Sequence, residues 1–186
     1  TQFGTAAIAA NAVANNIAVF QTLPGTAMGN AILTVCAQCV GANAYDQARY
    51  YTKKLIKIVY GGLVVSCIAV ILVLSLILNV YSLSEEATGM AEQILIYHGI
   101  CTMLIWPLSF SLPNTLRASN DVTFCMVLSI FSMWVFRIGF SYVLGLVFQL
   151  GVFGVWVAMT IDWAVRAVCF LIRYLGGKWQ RKASAV

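Results

Sequence analysis

Residues 4–45, GTAAIAANAVANNIAVFQTLPGTAMGNAILTVCAQCVGANAY, contain no charged side chain. A helix that crosses the hydrocarbon core needs about 20 mostly apolar residues. At about 1.5 Å per residue, this run is too long for one crossing. The expected break is Asn15-Asn16 or the residues just before them. Residues 1–9 then read as the end of a truncated helix, and about 13–40 as the first full span. The chain opens without Met inside an apolar stretch, so it reads as a fragment entered in mid-membrane.

The rest of the sequence agrees with lipid as the solvent. The chain is 61% hydrophobic and 9% charged, with mean hydropathy +0.89. A soluble domain carries about 25% charged residues. Further spans are expected at about 56–82, 92–116, 122–148 and 152–175, with a tail over 176–186. The charges between them are sorted. Basic residues crowd Arg49 to Lys57, Arg117, and Arg173 to Lys182, whereas the connection around Glu85, Glu86 and Glu92 is acidic. Basic patches on every second connection place those connections and the C-terminus in the cytoplasm of a multi-pass protein of the cell membrane. The same placement accounts for the net charge of +5 without a nucleic-acid partner. Trp179, beside Lys178, reads as an interfacial anchor. The six cysteines are scattered through apolar segments and read as buried thiols, Cys36-Ala-Gln-Cys39 included. No phosphate loop, metal-ligand set or catalytic triad is visible, so the chain does not read as an enzyme.

Two features break the apolar pattern. Pro24, Pro107 and Pro113 fall inside expected spans, and each frees a carbonyl four residues back, on Phe20, Met103 and Ser109. In lipid those carbonyls need a donor. A static kink and a hinge or carbonyl-lined cavity are both open readings. The first span also carries Asn15, Thr22, Thr26 and Asn30 at helical spacing, continued by Thr34. Such a stripe faces protein or water. It is either an interhelical face or the wall of a substrate path. Gly25-Thr-Ala-Met-Gly29 is a small-xxx-small pattern for close packing.

The order of these residues resembles the multidrug and toxic compound extrusion family of antiporters. Gly4-Thr-Ala-Ala-Ile-Ala-Ala-Asn-Ala-Val, Leu23-Pro-Gly-Thr-Ala-Met-Gly-Asn-Ala and Ala37-Gln-Cys-Val-Gly-Ala-Asn look like its Ala-Ala pair, Pro-Gly helix and Gln-x-x-Gly-Ala exit. Leu112-Pro-Asn-Thr-Leu-Arg-Ala-Ser-Asn-Asp121 resembles its Leu-Arg-Ala-x-Gly-Asp turn, with Asn120 where Gly is usual. The resemblance implies a twelve-helix, all-α antiporter of two six-helix lobes, with this chain as the C-terminal lobe and its first helix truncated. It implies export of drugs or other amphipathic or cationic compounds in exchange for Na⁺ or H⁺, no other cofactor, and an N-terminal lobe as partner. A carboxylate that many members carry ten residues before the Leu of the Leu-Arg pair is here Trp106. A lipid-linked oligosaccharide flippase of related architecture and a non-transporting interaction subunit remain as alternatives.

Three charges stay inside apolar stretches. Asp162 lies about 15 Å below the outer end of its span and Arg137 about 16 Å below that of the neighbouring span. Arg166 follows Asp162 by one turn. An Arg137–Asp162–Arg166 cluster near the midplane is expected, either as a fixed network or as a set that responds to ion or substrate. His98, the only histidine, reads as a hydrogen-bonded residue near the outer end of the third span. Trp106, Phe110 and Trp134 are candidates for stacking on an aromatic or cationic substrate.

Overall fold

The computed structural model describes residues 4–183. Every regular element among them is helical. α1 spans Gly4–Gly41, α2 Tyr45–Leu72, and the short α3 Leu74–Val80. α4, Glu85–Trp106, runs through a π-turn at Pro107–Ser111 into α5, Leu112–Ala118. α6, Val122–Ser132, continues through a π-turn at Met133–Gly139, α7 at Phe140–Tyr142, and a π-turn at Val143–Val147. α8 is Gly151–Leu175 and α9 is Lys178–Ala183. Five segments are long and apolar enough to cross a membrane: Gly4–Gly41, Tyr45–Leu72, Glu85–Ala118, Val122–Val147 and Gly151–Leu175. This is an all-α membrane protein.

α1 corrects one expectation. It does not break at Asn15-Asn16; of the truncated helix end expected over 1–9, residues 4–9 are its first turns and residues 1–3 lie outside the described residues. Asn15 Nδ2 donates to the Asn11 carbonyl one turn back, at 2.8 Å, so one amide donor is used inside the helix. The buried face Ala7, Ala10, Val13, Ala14, Ile17 and Ala18 runs through the asparagines at helical spacing. A helix of 38 residues is about 57 Å long. It therefore tilts or projects beyond the hydrocarbon. α2 also starts earlier than expected. Arg49, Lys53, Lys54 and Lys57 sit on its exposed first turns rather than in a loop, because Lys and Arg are good helix formers.

The three prolines are accommodated by neighbours and by helix widening. At Pro24, the hydroxyl of Ser66 on α2 donates to the freed Phe20 carbonyl at 2.9 Å, and α1 continues without interruption. Near Pro107, the carbonyl that gains a side-chain donor is Leu104's, one residue on from Met103, with the Tyr60 hydroxyl at 3.2 Å. There the chain widens, and the Leu112 N–H closes onto the Pro107 carbonyl five residues back, immediately before Pro113.

α1 packs on α2, α4 and α5, and α8 packs on α4 and on the Val122–Val147 span. The α8 junction is tight: a Cβ on Gly154 would lie 2.8 Å from the Leu144 carbonyl carbon. Trp179 is not an interfacial anchor. The chain turns at Gly177 (φ 66°), and Trp179 packs fully buried with Tyr174, stacked at 5.7 Å.

Asn120 has φ 60°. That left-handed conformation explains why Asn serves where the resembling motif has Gly, since Asn tolerates it best among residues with a Cβ. Asn120→Gly is expected to leave the melting temperature of the full-length protein close to wild type. Asn120→Val is expected to cost about 1–2 kcal/mol, because a β-branched side chain is strained there. A thermal melt in detergent that ranks Val above Gly would contradict this account.

Candidate functional site

The stripe on α1 lies on the outside of the described bundle. Asn15, Thr26 and Asn30 are exposed and Thr22 is half-buried. Their hydrogen bonds are local: Thr22 Oγ1 donates to the Ala18 carbonyl at 3.2 Å and Thr26 Oγ1 to the Leu23 carbonyl at 2.8 Å. These bonds use the threonine hydroxyl donors and leave their acceptor capacity, with the remaining amide groups of Asn15 and Asn30, facing outward.

Trp106 does not share that surface. It is 5% exposed and fills the space opposite Gly25, where a Cβ would lie 2.4 Å from its ring. It also stacks on Phe110 at 5.0 Å. A large ring against a missing side chain is a packing wedge, so Trp106 does not line the stripe's face. Trp134 is 63% exposed on the outer helix. Pro24 is half-buried against α2, whereas Pro107, the first residue of the π-turn, and Pro113, just beyond it, are buried.

The opposite face of α1 holds a network that sequence reasoning missed. Gln21 is fully buried. Its Nε2 donates to the Leu95 carbonyl at 3.3 Å, and its Oε1 pairs with Nδ1 of His98. Thr102 Oγ1 lies 3.5 Å from His98 Nε2. This arrangement suits a neutral imidazole with its proton on Nδ1. His98 is 3% exposed, with its ring edge-on to Trp156 at 5.3 Å and Trp163 at 5.4 Å. It is therefore a buried, hydrogen-bonded core residue. The available signal was Gln21 standing opposite the stripe, with His98 and Thr102 one turn apart.

The three internal charges assemble only in part. Arg166 Nη2 pairs with Asp162 Oδ2 at 2.7 Å, and the Ser132 hydroxyl donates to Asp162 Oδ1. The Arg166 guanidinium lies 4.7 Å over the Phe110 ring. Arg137 is exposed and makes no ion pair among the described residues; its Nη2 lies 3.6 Å from the Met159 sulfur. Residue counting gave the right depth, but Arg137 sits in the π-turn Met133–Gly139, where the wider turn alters the direction of the side chain. All three charged residues nevertheless line one cavity of about 160 Å³, with Ser129, Ile130 and Met133.

Asp162→Asn is expected to cost about 1–2 kcal/mol of stability. The amide keeps an acceptor for Ser132 but loses the charge facing Arg166. The midpoint of thermal unfolding of the full-length protein in detergent is expected to fall; a variant that melts with wild type would show that the Asp162–Arg166 pair does not contribute to stability.

Further along α1, Asn114 Nδ2 on α5 donates to the Gly29 carbonyl of α1 at 3.0 Å. Arg117 Nη1 donates to Asn114 Oδ1 at 3.0 Å. The fully buried Asp121 accepts from Arg173 Nε and Nη2 at 2.7 and 3.1 Å. The Leu112–Asp121 stretch thus ties α1, α5 and α8 together.

A family model described as MatE matches residues 1–143. The chain is 28% identical to "Probable multidrug resistance protein YoeA" of Bacillus subtilis (strain 168), over 97% of this chain and 38% of that protein. It is 25% identical to "Probable multidrug resistance protein NorM" of Oceanobacillus iheyensis, over 94% and 39% respectively. It is 23% identical to "Uncharacterized transporter YisQ" of Bacillus subtilis (strain 168), over 98% and 40%. The chain spans about two fifths of the length of these relatives.

Proposed function

The chain belongs to the MatE family, and on that premise we propose that it is the C-terminal membrane lobe of a secondary antiporter. The whole protein exports drugs or other amphipathic, cationic compounds in exchange for Na⁺ or H⁺. A second lobe, supplied by the rest of a longer chain, faces the stripe, and the C-terminus lies in the cytoplasm. The reading is supported by relatives named as multidrug resistance proteins. The observation that carries it is the outward-facing row Asn15, Thr26 and Asn30 on a helix of membrane-spanning length. Polar side chains presented outward in lipid are costly unless they meet water or protein. A path between two lobes supplies water, and alternating exposure of that path is what exchange requires.

Ethidium efflux from cells expressing the full-length protein tests the reading, with the Na⁺ and pH gradients collapsed separately. Efflux is expected to fall when one of them is removed; indifference to both would sink the antiporter. The stripe is tested by Thr26→Cys and Asn30→Cys in a cysteine-free background. Both are expected to react with a membrane-impermeant maleimide and to be protected by ethidium. Unreactive thiols would favour a buried interhelical face and a non-transporting role.

A further inference from the structure

Arg137 lies deep in its span, about 22 Å along the helix from Val122 and about 15 Å from Val147. Among the described residues no carboxylate lies within ion-pair distance of it. Its side chain stands between two cavities. One, of about 160 Å³, also contains Asp162 and Arg166. The other, of about 190 Å³, is lined by Asn11, Asn15, Val155, Trp156 and Met159. Asp162 is already engaged on both oxygens, by Ser132 and by Arg166. Two guanidiniums against one carboxylate leave the first cavity with a net positive charge. Arg166 also keeps a buried Nε–H with no hydrogen-bond partner among the described residues. A guanidinium at this depth is costly without an anion beside it, and a planar fork of donors favours an oxyanion.

We propose that this cavity binds the singly charged oxyanion group, a carboxylate or a phosphodiester, of an amphipathic ligand between Arg137 and Arg166. The apolar body then lies in the adjoining cavity against Val155, Trp156 and Met159. Arg137 is the residue common to the linings of the two cavities, of about 160 and 190 Å³, so a ligand held by its guanidinium borders both. The inference rests on the transport reading for its biological setting and widens the substrate class: amphipathic compounds that carry an oxyanion group are taken as well as cations. A phosphodiester would come from a lipid headgroup, and a carboxylate from a substrate.

The test uses the full-length protein in nonionic detergent. Binding of rhodamine 110, which carries a free carboxyl group, is compared by fluorescence polarisation with that of rhodamine 123, its methyl ester. Wild type is expected to bind rhodamine 110 more tightly by about tenfold or more, the range of a hydrogen bond to a charged group. Arg137→Gln should abolish that preference by weakening rhodamine 110 alone, and Arg137→Lys should keep part of it. If Arg137→Gln does not accumulate as folded protein, Arg137→Lys is read alone: an intermediate preference supports the site and an unchanged one overturns it. A parallel melt compares added phosphatidylglycerol with phosphatidylcholine. Stabilisation by phosphatidylglycerol that disappears in the Arg137 variant, without a dye preference, supports the oxyanion site with a lipid headgroup as its occupant. Equal binding of both dyes with no Arg137-dependent lipid response overturns the proposal, as does a variant that weakens both dyes alike. Ethidium efflux is read separately, so a protein that fails to transport but still discriminates the dyes loses the antiporter reading and keeps the site.

Discussion

Asp121→Ala is expected to destabilise the full-length protein by about 3–5 kcal/mol, the range for removing one partner of a buried ion pair. The carboxylate is fully buried and receives two donors from one guanidinium, at 2.7 and 3.1 Å. Its position at the start of α6 places negative charge at the positive end of a helix, and Arg173 in the last turn of α8 complements the opposite end. The Arg173 guanidinium lies 4.6 Å over the Phe124 ring, so the cation is held on two sides. Removing the carboxylate leaves that cation against an aromatic wall. Arg173 retains 18% side-chain exposure, which lets it reach polar headgroups and draws the expected loss towards the lower end of the range. Asp121→Asn should lose roughly half as much, because one neutral acceptor remains. Arg173→Lys should fall between, since an ammonium cannot reproduce the two-pronged contact. The measurement is the midpoint of thermal unfolding in detergent. An Asp121→Ala midpoint within a degree of wild type would show that the pair contributes nothing.

Gly25→Val is expected to cost about 3 kcal/mol, the upper end for overpacking. The first added atom would sit 2.4 Å from the Trp106 ring. Trp106 cannot swing aside, because it is stacked on Phe110 at 5.0 Å, which in turn is edge-on to Trp163 at 5.4 Å. The clash therefore separates α1 from α4 or displaces the aromatic stack. In a Trp106→Leu background the same substitution should cost far less, because the smaller side chain leaves room. The coupling between the two sites is expected at about 1–3 kcal/mol in a double-mutant cycle. Additive effects would mean that the close approach is not maintained in the native protein.

The sequence made the membrane spans and the helical class legible because hydrocarbon thickness sets a minimum apolar length that composition reveals directly. The Leu112–Asp121 and Pro24–Gly29 motifs pointed to the family for a related reason, since Pro and Gly record backbone demands that few other residues meet. Direction around a helix axis was much harder to read. Arg137 and Asp162 share a depth because depth follows from counting residues. Whether they touch depends on azimuth, and the π-turn at Met133–Gly139 alters azimuth without leaving a mark in the sequence. Trp106 reads as a substrate-stacking residue in the sequence because aromatic character says nothing about the glycine opposite it. Gln21 and His98 lie far apart in the chain, and only the packing of α1 on α4 brings them together. Trp179 reads as an anchor by its neighbours, yet the turn at Gly177 folds it back onto Tyr174.

The carbonyls of Phe20 and Gly29 are where Ser66 and Asn114 hold α1 to its neighbours. Both acceptors belong to the main chain, which every amino acid shares. Side chains on the outward face of α1 are therefore free to vary without loosening these tethers. Under the proposed function, selection on what the protein recognises and selection on whether it holds together then act on different atoms of the same helix, so that the outward face can diversify while the scaffold stays intact.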